Sequence, residues 1–276
     1  PAGAHKALFI VGPVIAIITA CIGSAVIPWG KDLTIGDRTI ELQVADVNIG
    51  VLYMFGVVAL SVYGIMLGGW ASNNKYSLMG AVRAASQNIS YEIAMGLSLI
   101  ALLMMTRTLS LREIVDQQVG FLDWNIWAQP LGFLIFVTCA FAECNRVPFD
   151  LPECETELIG GYNVEYSSMK LGLYMFSEYI HMFVSSALMT ALYFGGYNFP
   201  FMNDLGLSPN AIAIIGVLVY FIKIFAFIFF FMWIRWTLPR FRYDQLMNLG
   251  WKMLIPLAIA NIVLTGAITI IKDTFF

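Results

Sequence analysis

An all-α bundle of membrane-spanning helices is the fold class this sequence predicts, and three observations carry that expectation. Hydrophobic residues make up 59% of the chain, and the mean hydropathy is +0.78. Only 12% of residues are charged, about half the share usual in soluble domains. Seven apolar runs approach or reach the ~20 residues with which a helix crosses a bilayer core. The expectation is one polytopic, integral membrane domain over residues 1–276, with tilted helices and polar loops on its inner face.

The seven spans fall near 7–28, 49–70, 89–106, 128–142, 171–194, 211–234 and 251–271. The first ends where Pro28 follows an apolar run. Between the first and second, Thr34-Ile35-Gly36-Asp37-Arg38-Thr39-Ile40 places a Gly-Asp pair between two short β-prone runs, the pattern of a small hairpin. The second carries Gly64 and Gly68 at small-xxx-small spacing, which first of all means close helix packing. Before the third, Leu78, Val82, Ala85 and Ile89 recur at helical spacing with Lys75, Arg83 and Gln87 elsewhere on the wheel. That pattern predicts a helix lying in the interface before the chain turns inward. The fourth span is short, with Glu143 at its end.

Lysines and arginines divide unequally between the two sides. One side receives nine: Lys6, Lys75, Arg83, Arg146, Lys170, Arg235, Arg240, Arg242 and Lys252. The other receives five: Lys31, Arg38, Arg107, Arg112 and Lys272. Cytoplasmic loops carry the excess of positive charge. The amino end is therefore expected in the cytoplasm and the carboxyl end outside.

Composition also sets aside several chemistries. Net charge is −3 and no basic cluster is present, so nucleic acid is not an expected partner. Cys21, Cys139, Cys144 and Cys154 show no CxxC spacing, which argues against zinc or iron–sulfur ligation. His5 and His181 do not form a haem pair. Gly160-Gly161 lacks the strand-then-helix context of a phosphate loop. No charged segment followed by a cleavage site precedes the first span, so no signal peptide is expected.

The informative residues are the charges placed in apolar surroundings. Glu92 lies near the start of the third span, Glu143 closes the fourth, and Glu178 lies about two turns into the fifth. His181 follows on the same helical face, and Lys223 stands within the sixth. Each ionised group at membrane depth costs roughly 2.5–3.5 kcal/mol on insertion scales. Such groups must face one another, or water, inside the bundle. Burial disfavours the charged form of either sign, which is the condition for passing protons along a row. The competing explanation is a set of buried pairs that fix helix register, for example Glu178 with Lys223. For His181 alone, a hydrogen-bonded core residue is the simpler expectation.

Between the fourth and fifth spans, residues 142–170 hold Glu143, Asp150, Glu153, Glu155, Glu157 and Glu165 against only Arg146 and Lys170. A polar loop at a membrane surface is usually just solvated. This one is interrupted by Val147-Pro148-Phe149 and Leu151-Pro152, which stiffen it and give it something to bury. Glu153 and Glu157 share a face if the segment is helical.

Five strings resemble one family. They are Gly69-Trp70-Ala71-Ser72-Asn73-Asn74-Lys75-Tyr76-Ser77-Leu78, Ser90-Tyr91-Glu92, Glu143-Cys144-Asn145-Arg146-Val147-Pro148-Phe149-Asp150-Leu151-Pro152-Glu153, Gly160-Gly161-Tyr162-Asn163-Val164-Glu165-Tyr166-Ser167 and Leu238-Pro239-Arg240-Phe241-Arg242-Tyr243-Asp244-Gln245. In this order they are similar to the H subunit of bacterial respiratory complex I, an NADH:quinone oxidoreductase whose mitochondrial counterpart is membrane subunit 1. The resemblance covers most of the chain. It implies an eight-span family fold in which a first span and an interfacial helix would precede the seven spans here. It implies a subunit with no redox centre of its own and no permanently bound cofactor, which cradles quinone as substrate. It also implies partners: a peripheral quinone-site subunit with the terminal iron–sulfur cluster, antiporter-like membrane subunits, and the lipid of the bacterial inner membrane. By the same resemblance Glu92, Glu143 and Glu178 form a proton path. Arg146, Phe149, Asp150, Glu153, Glu155, Glu157, Glu165, Arg235 and Arg242 belong to the quinone chamber and acidic loop. Arg240 would help to balance the acids, and the family also carries a lysine at the place of Lys223.

Two rivals stay open at this point. One is the related membrane subunit of energy-converting hydrogenases, which handles no quinone. The other is a stand-alone secondary transporter, which intramembrane Glu, His and Lys would also suit, although repeated halves and broken helices are not evident here.

Overall fold

The computed structural model describes residues 3–152, 159–200, 202 and 208–275. Helix α1 (Lys6–Gly23) leads through a short 3-10 turn (Ser24–Val26) into a two-stranded hairpin of β1 (Leu33–Ile35) and β2 (Arg38–Ile40). Its strands are antiparallel, with Leu33 opposite Ile40 and Ile35 opposite Arg38. Gly36 at the tip has φ +62°, a conformation that glycine adopts without steric cost. The predicted hairpin is therefore present. Asn210 pins it by accepting from Thr34 N at 2.9 Å and donating to Thr34 O at 2.6 Å.

Helix α2 (Gly50–Ala71) and helix α3 (Lys75–Thr106) follow, then short α4 (Leu111–Asp116) and α5 (Asn125–Ala128), and α6 (Pro130–Glu143). Helices α7 (Ser168–Tyr193) and α8 (Pro209–Thr237) come next. Short α9 (Tyr243–Asn248) then runs through a π-helical turn (Leu249–Leu254) into α10 (Ile255–Phe275). All seven predicted spans coincide with helices. Five helical segments are long and apolar enough to cross a membrane: α1, α2, α3, α8, and α9 to α10 taken together. Helix α6 has 14 residues, about 21 Å of rise. Helix α7 has 26 residues and carries Lys170, Glu178 and His181.

The segment before the third span departs from expectation. It does not break from the span; the two are continuous as the 32-residue helix α3. Asn74 caps its start by accepting from Tyr76 N at 3.0 Å, and Arg107, at φ 56°, closes its end. No proline interrupts residues 75–106, so nothing in the backbone enforces a bend. Leu78, Val82 and Ile89 are exposed apolar residues along its outer flank.

Helix α1 packs against α2 and α7, α3 packs against α2, α6 and α10, and α7 packs against α8. At the α1–α2 crossing the glycines are required. A Cβ on Gly64 would lie 3.0 Å from Ala16 N, and one on Gly12 would lie 3.1 Å from Gly64 O. Gly64 O also accepts from Tyr174 Oη at 2.9 Å. Near the start of α6, Gln129 donates to Thr265 Oγ1 at 2.7 Å and accepts from Asn261 Nδ2 at 3.0 Å, polar glue between α6 and α10. Lys223 does not pair with Glu178. Its ammonium donates to the carbonyls of Phe194, Gly196 and Asn198 at 2.7, 2.9 and 2.6 Å. It caps the carboxyl end of α7, where carbonyls have no helical partner and the helix dipole favours a cation.

Candidate functional site

Three helices each deliver one glutamate to the same interior region. Glu92 comes from the middle of α3, Glu143 from the last residue of α6, and Glu178 from the third turn of α7. Helix α6 stops at Glu143 because the chain reverses there: Cys144 N still donates to Ala140 O, and Asn145 then takes φ 50°. Three small cavities share Glu143 in their linings. The first, about 10 Å³, is lined by Glu92, Glu143, Asn88 and Ser61. The second, about 20 Å³, is lined by Glu143, Glu178, His181, Tyr162, Tyr174 and again Ser61. The third, also about 20 Å³, includes Glu143, His181, Cys144 and Ser185. Each is on the order of one water in size. Glu143 lines all three, with Glu92 on one side and Glu178 on the other. Carboxyl groups that share such small buried spaces are close enough to act on one another.

Glu178 is buried and well held. Its Oε1 accepts from Tyr162 Oη at 3.1 Å, and its Oε2 lies 3.5 Å from Arg146 Nη2. The Arg146 guanidinium also stands 4.5 Å over the Tyr179 ring. Tyr162 is placed by backbone: its carbonyl accepts from Ser77 Oγ at 3.0 Å, and Gly80 leaves room for the Gly161–Tyr162 backbone, which a Cβ would approach to 2.8 Å.

The loop after α6 is bound to the bundle by its first residues. Gln87 Nε2 donates to Ala142 O at 2.7 Å and to Phe149 O at 2.8 Å. Phe149 is buried between the rings of Tyr91 and Phe241, with centroids 5.5 and 5.6 Å away. Asp150 is buried and accepts from Arg240 at 2.7 Å. Phe149 and Asp150, expected in a quinone chamber, thus act as a brace that fixes the exit of α6. Glu153, Glu155 and Glu157 lie outside the described residues.

Glu165 belongs to a second place. It accepts from Asn74 Nδ2 at 2.8 Å and lines a groove of about 470 Å³ with Lys6, Phe9, Ile10, Met169 and Lys170. Beside that groove, Tyr166 stacks on Phe9 at 4.1 Å and donates to Phe9 O at 3.1 Å. Burial pushes the Tyr166 phenol above its ordinary value, so it stays a donor at neutral pH. Arg235 and Arg242 are exposed and sit in neither place.

The structure brings together the three intramembrane glutamates and Arg146 that the sequence singled out. Tyr162, Ser61, Asn88 and Gln87, which the sequence did not single out, pack beside them. Tyr162 stood inside a matched string, whereas Ser61 and Asn88 look like ordinary helix residues until packing shows which way they face.

The NADH dehydrogenase family model matches residues 1–266 of the chain. The NADH-quinone oxidoreductase H subunit 1 of Cytophaga hutchinsonii is 68% identical over 268 residues, covering 97% of this chain and 78% of the relative. The H subunit of the Flavobacterium johnsoniae enzyme is 61% identical, covering 98% and 77%. The H subunit 1 of the Geobacter metallireducens enzyme is 47% identical, covering 99% and 78%. Membership at this identity over nearly the whole chain, joined to apolar helices of membrane-crossing length, places the chain in the NADH dehydrogenase family as a membrane subunit of an NADH-quinone oxidoreductase complex.

Proposed function

We propose that this subunit couples quinone reduction to proton translocation, with Glu92, Glu143 and Glu178 as the intramembrane path. The observation that carries this reading is the position of Glu143, which shares one small cavity with Glu92 and a second with Glu178. A two-electron reduction of quinone creates a demand for two protons. A change of charge beside closely spaced carboxyl groups redistributes protons among all of them. Quinone reduced near the acidic loop of Glu153, Glu155, Glu157 and Glu165 would draw on that row through Arg146 and Glu178.

The groove lined by Phe9, Ile10, Met169, Lys6, Lys170 and Glu165 forms part of the quinone chamber. Its apolar side suits the isoprenoid tail and its charged side the head group. Ligand sites of several hundred Å³ with a few convergent polar groups are the common form of such pockets. Arg235 and Arg242, exposed on the basic side, together with Arg240, dock the peripheral arm. That arm brings the iron–sulfur cluster that reduces quinone, and this chain holds no cofactor permanently. Antiporter-like membrane subunits receive the proton signal at the far end. The complex sits in the bacterial inner membrane, with the amino end of this chain cytoplasmic and the carboxyl end periplasmic.

Glu143→Gln tests the reading, because glutamine keeps size and hydrogen bonding but carries no exchangeable carboxyl proton. NADH–quinone turnover and the pumped proton gradient, measured in membrane vesicles, should both fall at least tenfold. Removing a positioned proton-transfer group commonly costs about 10²–10⁴ in rate. Normal turnover with a normal gradient would take Glu143 out of the mechanism.

A further inference from the structure

Between Glu143 and Glu178 the cavities share a third titratable side chain. His181 lies one helical turn after Glu178 on α7 and lines both 20 Å³ cavities that Glu143 also lines. Its Nε2 is buried and makes no hydrogen bond to any described residue. The groups facing it are Glu143 and Cys144 at the end of α6, Glu178 and Ser185 on its own helix, Tyr174 one turn further back, Tyr162 from the loop, and Ser61 from α2. Tyr174 is engaged with Gly64 O, and Tyr162 with Glu178. A core histidine that only supports packing satisfies both ring nitrogens on fixed neighbours. This one leaves Nε2 without such a partner, and its side chain lines a space of about one water that Glu143 and Glu178 also line.

From this placement we infer that His181 carries the proton between Glu143 and Glu178, as the middle station of the path. The inference rests on the proposed proton path and adds a residue to it. With the neutral ring protonated on Nδ1, Nε2 accepts a proton that leaves Glu143 through one bridging water, which turns Glu143 into a carboxylate and the ring into imidazolium. The same Nε2–H then gives its proton through the neighbouring cavity to the Glu178 carboxylate. Glu178 becomes neutral and the imidazole returns to its starting form, so charge and protons balance over the two steps. Arg146, 3.5 Å from Glu178, holds the receiving carboxyl group in place.

The test uses the assembled complex in membrane vesicles and two variants. His181→Gln keeps hydrogen bonding but cannot carry a proton, and should lower NADH–quinone turnover and proton pumping about tenfold. His181→Ala opens space beside Glu143, and added imidazole should restore at least half of its lost pumping. Electron transfer from NADH to a water-soluble acceptor at the peripheral arm should be unchanged in both, which reports assembly. Pumping by His181→Gln within twofold of the unsubstituted complex would overturn the inference, as would a His181→Ala loss that imidazole leaves untouched. Glu143→Gln measured in parallel separates the two levels. If it is blocked while His181→Gln pumps normally, the path stands without His181; if both pump normally, the path itself is gone.

Discussion

Gln87 shows how a single uncharged residue decides where the charged ones stand. Its amide bonds at once to the last turn of α6 and to Phe149, so it sets the depth at which Glu143 meets Glu92. Gln87→Leu would leave two buried carbonyls without their donor, at about 1–3 kcal/mol each. The expected outcome is a complex several degrees less heat-stable, with turnover reduced because Glu143 is displaced; thermal melting and NADH–quinone activity check it together. The glutamates were legible in the sequence because an ionisable group inside an apolar run has no bland surroundings to explain it. Gln87, Ser61 and Asn88 were not, since hydroxyls and amides occur on every helix. Only the packing of α2, α3 and α6 tells which of them face the carboxyl row. Arg235 and Arg242, which carry charge near matched strings, are exposed at the end of α8 and the start of α9, away from the glutamates.

At the level of elements, the ends of helices matter more than their middles. Lys223 sits within α8, where the sequence offered it as a buried pair for Glu178. It instead closes the carboxyl end of α7 through three carbonyls, at a turn where Gly195 and Gly196 take φ +69° and +51°. Lys223→Met would remove these charge-assisted bonds, worth about 1.5–3 kcal/mol in a typical case. The expected result is a lower melting temperature and faster amide exchange at residues 192–198, measured by hydrogen exchange. The partner of Lys223 was not legible because carbonyls are invisible to residue-type reasoning. The hairpin was legible because its Gly-Asp tip is a local signal that needs no tertiary partner. The break expected before the third span failed because amphipathic spacing fits a surface helix and the exposed flank of a long continuous one equally well, and α3 is continuous.

On the scale of the whole molecule, the proposed orientation rests on the distribution of basic residues, which predicts the hairpin and α4 on one side and the start of α9 on the other. Cysteine placed at Asp37 should react with a membrane-impermeant thiol reagent only from the periplasmic side, and cysteine placed at Arg242 only from the cytoplasmic side. Both positions are exposed. Reversed labelling would invert the proposed direction of proton movement while leaving the path in place. In the proposed path the bundle is a frame for three carboxyl groups and a histidine. Glu178 is clasped there by Arg146 and Tyr162. The most direct measurement is an infrared difference spectrum of the purified complex, taken between its oxidised state and its state with reduced quinone. The account predicts a change in the band of protonated carboxyl groups that disappears in Glu143→Gln. An identical band in the substituted and unsubstituted complexes would contradict it.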